Sequence, residues 1–165
     1  MFNLINSKLT IIFVLVWGLC SCTHTHFYIV RHAEKSSSPT SDPELTLEGK
    51  KRAEKLKEIL KTKDIQQIYS TKTVRTLNTV KPLADLNNIE VKIYDAKNQS
   101  QFIEELKFSN RNSLIVGHSN TIRYVVNGLS GKEVLLKDLE DSEYNFLFHI
   151  KKNKKGKPKI AINHF

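Results

Sequence analysis

The stretch Phe27-Tyr28-Ile29-Val30-Arg31-His32-Ala33-Glu34 constrains this chain more than any other, because a short apolar run of β type stops abruptly at an arginine, a histidine and a carboxylate. A run of this kind reads as a buried strand that delivers polar side chains at its C-terminal end. In open α/β sheets the strand ends form the crevice where ligands sit, so Arg31 and His32 are expected at the mouth of a site. The pair suits phosphate chemistry. Arginine offers a permanently charged planar fork matched to phosphate oxygens, and an imidazole with a reference pKa of about 6.5 is available as a neutral nucleophile near pH 7. Taken alone, an Arg-His pair reads more readily as an ordinary strand end with surface polar residues.

Three later stretches decide between these readings. Leu45-Thr46-Leu47-Glu48-Gly49 opens a helix, Ser70-Thr71 leads to Arg75-Thr76, and Leu114-Ile115-Val116-Gly117-His118-Ser119-Asn120 is a second apolar strand ending in histidine. Together with the opening Arg-His-x-Glu at 31–34, the ordered set resembles the histidine phosphatase superfamily, the phosphoglycerate mutase-like fold. The resemblance runs from about residue 27 to 130. It implies a three-layer α/β/α domain with a mainly parallel sheet.

The first twenty or so residues stand apart. Lys8 precedes the apolar run Leu9 to Leu19, whose eleven residues fall short of the roughly 20 needed for a permanent membrane-spanning helix. This is the order of a secretory signal. Leu19-Cys20-Ser21-Cys22 then resembles a bacterial lipobox, with Cys22 as the lipidated first residue of the mature protein. The expected division is a signal peptide at 1–21, a lipidated cysteine and tether at 22–26, and one phosphatase domain at 27–165. The chain would be an exported, membrane-anchored lipoprotein facing the periplasm or the cell surface. Both cysteines of the chain lie at or before position 22, so no disulfide framework is available to the domain, which must hold itself together by core packing.

The formal charge of +9 includes Lys8, the only charged side chain in residues 1–21, so cleavage would leave +8. Lys151, Lys152, Lys154, Lys155, Lys157 and Lys159 cluster in a C-terminal hairpin. A solvated edge that resists aggregation is the first reading of this cluster, and contact with anionic lipid the second. Nucleic-acid binding is not expected, since no aromatic residues are interleaved for base stacking.

Along the chain, Ser36 to Pro43 reads as a loop near the site. Thr46 is a candidate N-cap for a helix carrying Leu47, Ala53, Leu56 and Leu60 inward. Strands are expected at Ile65–Thr71, Ile89–Tyr94 and Ser113–Gly117, and helices from near Thr73, from about Ser100 to Phe108, and after His118, the last ended by Gly128 and Gly131. Asn145–Ile150 and Lys159–Asn163 form a closing hairpin whose His149 and His164 are read as surface residues. Pro82 is expected to kink the second helix. His24 and His26 are too few to bind a metal from a tether. The strand–helix alternation predicts helices on both faces of the sheet.

The resemblance implies phosphoryl transfer through a covalent phosphohistidine on His32, with Arg31, Arg75 and His118 forming the phosphate pocket and Asn120 a further substrate contact. Several fixed donors must hold the equatorial oxygens as charge redistributes, and two guanidiniums with an imidazole can do so; no metal or other cofactor is expected. Family members often carry a glutamate proton donor after the third strand. Here the nearest match is Asp95, with Glu34 as the alternative carboxylate. Ala33 stands where many members have glycine, so this turn should avoid positive φ. Three functions follow: a phosphatase acting on phosphomonoesters or phosphorylated protein side chains, a phosphomutase, and a non-catalytic lipoprotein that binds phosphate-bearing ligands. The partners expected are a phosphorylated small-molecule or protein substrate and the membrane through the lipid anchor, with the domain a monomer.

Overall fold

The computed structural model describes residues 24–37, 39–153 and 157–165. Cys22 and the lipobox therefore lie outside the described residues, as do Lys154 and Lys155 of the lysine cluster. Among the described residues, no helix is long and apolar enough to cross a membrane.

Ten elements alternate as the sequence predicts: β1 (Thr25–Arg31), α1 (Leu47–Leu60), β2 (Gln67–Ser70), α2 (Val74–Asn87), β3 (Val91–Ile93), α3 (Gln99–Phe108), β4 (Ser113–Gly117), α4 (Ser119–Ser130), β5 (Phe146–Lys152) and β6 (Lys159–His164). The sheet order is β3-β2-β4-β1-β5-β6. The first four strands run parallel and the closing hairpin is antiparallel. The central strand β4 separates β1 from β2, pairing Arg31 with Gly117 on one side and Ser70 with Val116 on the other.

The period-2 pleat divides the core in two. Phe27 and Ile29 join Ile115, Phe148 and the inward stripes of α3 and α4, whereas Tyr28 and Val30 join Leu114, Val116 and the stripes of α1 and α2. Helices thus cover both faces, and the strands between them are apolar on each.

Several local expectations need correction. β1 begins at Thr25, so Thr25 and His26 belong to the sheet rather than to a tether. His26 and His149 are half-buried, with His26 Nδ1 2.8 Å from His149 Nε2 and their rings stacked. Leu47 points to solvent, because the first residue of α1 has no layer above it. Gly128 lies inside α4, where the Ile103 side chain packs against its missing Cβ; Gly131, at φ 64°, ends the helix alone. Pro82 does fall inside α2, as the sequence places it.

Thr46 caps α1 by accepting from the Gly49 amide at 3.0 Å. The glycine of this segment has a steric reason. A Cβ at Gly49 would stand 2.3 Å from the Glu34 carbonyl oxygen and 3.1 Å from the Glu34 amide nitrogen, both backbone atoms that cannot swing aside. Gly49→Ala is therefore expected to cost about 1–3 kcal/mol, typical of overpacking, read as a lowered urea midpoint at unchanged slope. A variant as stable as the parent would show that α1 can move away from the signature loop.

Candidate active site

Three adjacent parallel strands bring the site together. Arg31 closes β1 and His32 follows it; Thr71 follows β2 and leads into α2, which carries Arg75 in its first turn; His118 follows β4 as the N-cap residue of α4. Because β4 lies between the other two, residues far apart in sequence meet at the carboxyl ends of the strands. The His32 and His118 rings meet edge to face with centroids 5.5 Å apart, and Arg75 Nη2 is 3.4 Å from His118 Nδ1.

His32 is buried, and its backbone is anchored by donation to the Gly117 carbonyl at 2.9 Å. Its Nδ1 lies 2.8 Å from the carbonyl oxygen of Ala33. A carbonyl only accepts, so the Nδ1 proton is held there and Nε2 keeps its lone pair. Ala33 does not adopt positive φ, as expected from its side chain, and its amide donates to Thr79 Oγ1 at 2.9 Å. Burial pushes the His32 pKa from 6.5 down to about 3; the Ala33 hydrogen bond opposes this, and Arg31, His118 and Arg75 add to it. His118 falls to about 4, first by burial, then through Arg75 and Arg31, with Asp42 acting the other way. Both imidazoles are neutral at pH 7.

Each guanidinium is held at its Nη nitrogens and has no partner at Nε. Arg31 donates through Nη1 to the Glu140 carbonyl and through Nη2 to Asp141 Oδ1 at 3.2 Å, with Tyr144 stacked at 4.5 Å. Arg75 Nη1 donates to Asp42 Oδ1 at 3.2 Å. The Nε groups of both arginines are buried with no hydrogen-bond partner. A buried charged donor without an acceptor is costly, and two such donors, on arginines whose charges act on His32, suit a tetrahedral oxyanion.

The N-terminus of α2, where free amides and the helix dipole favour an anion, is filled by the protein's own carboxylate: Asp42 accepts from the Val74 amide at 2.9 and 3.1 Å. Sequence reasoning missed Asp42, although it placed residues 36–43 near the site. It also missed Asp141 and Tyr144, which lie in a segment between α4 and β5 without apolar periodicity.

The two carboxylates expected as proton donors each hold a partner of their own. Arg52 grips Glu34 from two nitrogens, Nε at 2.8 and 2.9 Å and Nη2 at 2.6 Å, and its Nη1 donates to the Phe165 carbonyl. Burial alone would raise the Glu34 pKa, but the Arg52 hydrogen bonds and charge outweigh it and hold the carboxyl below its usual value. Asp95 is exposed and accepts from the Lys97 amide at 2.8 Å. It lines a cavity of about 460 Å³ together with Thr71, Lys72, Lys97 and His118. Asn120 is exposed, and its Oδ1 accepts from the Thr121 amide at 2.9 Å, within its own helix turn. The structure thus gathers Arg31, His32, Arg75 and His118, while the side chains of Asp95 and Asn120 bond within their own segments.

Comparison with known proteins bears on the family and the fold. The family model described as histidine phosphatase superfamily (branch 1) matches residues 27–99. No curated protein matches the sequence significantly. Among solved structures, the protein histidine phosphatase SixA complexed with tungstate is 17% identical, covering 85% of this chain and 97% of that one at a TM-score of 0.65. A phosphoserine phosphatase in complex with 3-phosphoglyceric acid from Entamoeba histolytica is 17% identical, covering 86% and 98% at 0.64. A mycobacterial glucosyl-3-phosphoglycerate phosphatase is 10% identical, covering 86% and 98% at 0.63.

Proposed function

We propose that this chain, whose residues 27–99 match the histidine phosphatase superfamily model and whose fold is that of such phosphatases, is a phosphatase working through a phosphohistidine on His32. The observation that carries this reading is the pair of buried, unpartnered Nε donors on Arg31 and Arg75, two arginines whose charges act on His32, together with the free Nε2 lone pair of that ring. The His32 Nε2 attacks phosphorus and the P–O or P–N bond to the leaving group breaks. The guanidiniums hold the equatorial oxygens, and water then cleaves the P–N bond to the enzyme, releasing orthophosphate and regenerating His32. The leaving half of the substrate fits the cavity between His118, Thr71, Lys72 and Lys97.

The position of the acids narrows the substrate. With Glu34 bound to Arg52, and Asp95 exposed and bonded to its own loop, protonation of a poor alkoxide leaving group is weakly supported. Phosphorylated protein side chains with good leaving groups, phosphohistidine among them, suit this site better than alkyl esters. A panel of an aryl phosphate, a phosphohistidine peptide and an alkyl phosphate tests the point. Turnover should be fastest on the first two, and an alkyl ester cleaved as well as the aryl ester would contradict it. Orthophosphate binding without turnover on any substrate would instead favour the non-catalytic, ligand-binding reading that the displaced acids also allow.

The order Lys8, apolar run, Cys22 supports a second part of the proposal, that the domain is exported and held at a membrane by a lipid on Cys22. Cells grown with a clickable fatty acid should label the protein, and Cys22→Ala should abolish the label. Labelling that survives this substitution would remove the anchor.

A further inference from the structure

Behind His118 lies a run of buried hydroxyl groups with a consistent direction. Arg75 Nη2 faces His118 Nδ1 at 3.4 Å. A guanidinium has no acceptor, so Nδ1 presents its lone pair and the proton of the neutral ring is on Nε2. That nitrogen lies 3.0 Å from Thr71 Oγ1, which accepts it. The Thr71 hydroxyl in turn donates to Thr76 Oγ1 at 3.1 Å, and Thr76 donates to the Thr71 carbonyl at 2.8 Å or the Thr73 carbonyl at 3.0 Å. Thr71 and Thr76 are both buried.

This arrangement suits an empty pocket and not a filled one. A phosphate oxygen arriving at His118 would meet the Nδ1 lone pair, and an anion facing a lone pair is repelled. The threonine run can be reversed while keeping its own hydrogen bonds; the contact given up is that of Arg75 Nη2 with His118 Nδ1, and both nitrogens then donate to the phosphate oxygen. Thr73 Oγ1 lies 2.8 Å from Thr76 Oγ1 with either atom able to donate, so Thr73 can supply Thr76 while Thr71 turns its proton toward Nε2.

We propose that Thr71 is a positioning residue whose hydroxyl lets His118 carry its proton on Nε2 in the empty pocket and on Nδ1, donating to phosphate, in the filled one. The inference rests on the reading of the pocket as a phosphate site. Only a hydroxyl, donor and acceptor at once, satisfies both states. The charged and titratable groups facing the ring are Arg75, Arg31, Asp42 and His32, and the two guanidiniums already match the two charges of a phosphate dianion. The ring therefore has no need of a third positive charge and stays neutral throughout.

The test uses protein labelled with nitrogen-15 in histidine and orthophosphate as the probe at pH 7. Long-range proton–nitrogen spectra should show His118 as the Nε2–H tautomer in the free protein and as Nδ1–H at saturation. Thr71→Val, close to isosteric, should remove the Nε2–H preference of the free protein. It should also weaken orthophosphate binding on the order of tenfold, the worth of one buried hydrogen bond. Thr71→Ser should restore the reversal. A bound state that keeps Nε2–H, or that shows the doubly protonated ring, would overturn the proposal. So would a folded Thr71→Val protein that matches the parent in both spectrum and affinity. Should that variant fail to fold, the parent and Thr71→Ser spectra still decide. Orthophosphate that does not bind at all would overturn the phosphate-site reading and this inference together, whereas binding without reversal would overturn this inference alone.

Discussion

His32→Ala should abolish phosphatase turnover, lowering kcat on an aryl phosphate by a factor on the order of 10⁴ or more, because no other free imidazole lone pair can form the covalent intermediate. His118 is the only other imidazole in the pocket, and in the empty pocket its Nδ1 faces Arg75 and its Nε2 faces Thr71. In the parent protein, acid quenching during turnover should trap phosphate on the peptide containing His32, in a linkage labile to acid and stable to base. The pH profile follows from the same geometry. His32 attacks only when neutral, and its pKa lies below the usual value, at about 3. A depressed pKa keeps the neutral form dominant as pH falls, so kcat/KM corrected for substrate ionisation should hold from pH 7 to about 5 and drop only nearer 3. A limb centred near 6.5 would mean that the ring titrates as an exposed histidine does. Residual turnover within tenfold of the parent would place the nucleophile elsewhere.

Arg75→Ala should lower kcat/KM by a factor on the order of 10²–10³, since it removes a fixed donor aimed at charge that develops on the equatorial oxygens. Orthophosphate inhibition should weaken in parallel. Arg75→Lys is the informative companion. It keeps the charge but presents a single point in place of a fork that spans Asp42, His118 and the unpartnered Nε position, so it should recover little of the loss. A lysine variant within about threefold of the parent would show that charge alone suffices.

How much of this was legible in the sequence depended on whether the signal was local. β4 was read to the residue, because Leu114, Ile115 and Val116 are continuously apolar and the run ends at Gly117. β1, by contrast, was started two residues late. Thr25 and His26 look polar, yet the ladder to β5 continues through them as pairs with Lys152 and Lys151. The four residues of the pocket follow or end apolar runs or open a helix, and pattern reading finds such positions. Asp42, Asp141 and Tyr144 lie in loops, where which side chain turns toward an arginine is decided by tertiary contact. Asp95 was proposed from its place after the third strand, but its shorter side chain closes on the Lys97 amide of its own turn. Glu34 has the position of a catalytic carboxylate in sequence and is held by Arg52, eighteen residues on, in a pairing that no local pattern announces.

The place of β4 in the sheet sets the order in which this protein can acquire its pocket as it folds. β1 and β2 make no ladder with each other; each is zipped to the strand that comes between them from residues 113–117. A chain emerging N-terminus first holds Arg31, His32, Thr71 and Arg75 long before the strand that sets their spacing exists. Closure of a loop of some eighty residues from β1 to β4 must precede any rewarding contact at the site, and such non-local pairing slows the search. In refolding from urea, the capacity to bind orthophosphate should therefore rise with the slowest major phase, after far-ultraviolet dichroism has reported the helices. Binding that appeared in step with the earliest helical signal would mean that the two flanking strands can find their separation without the strand between them.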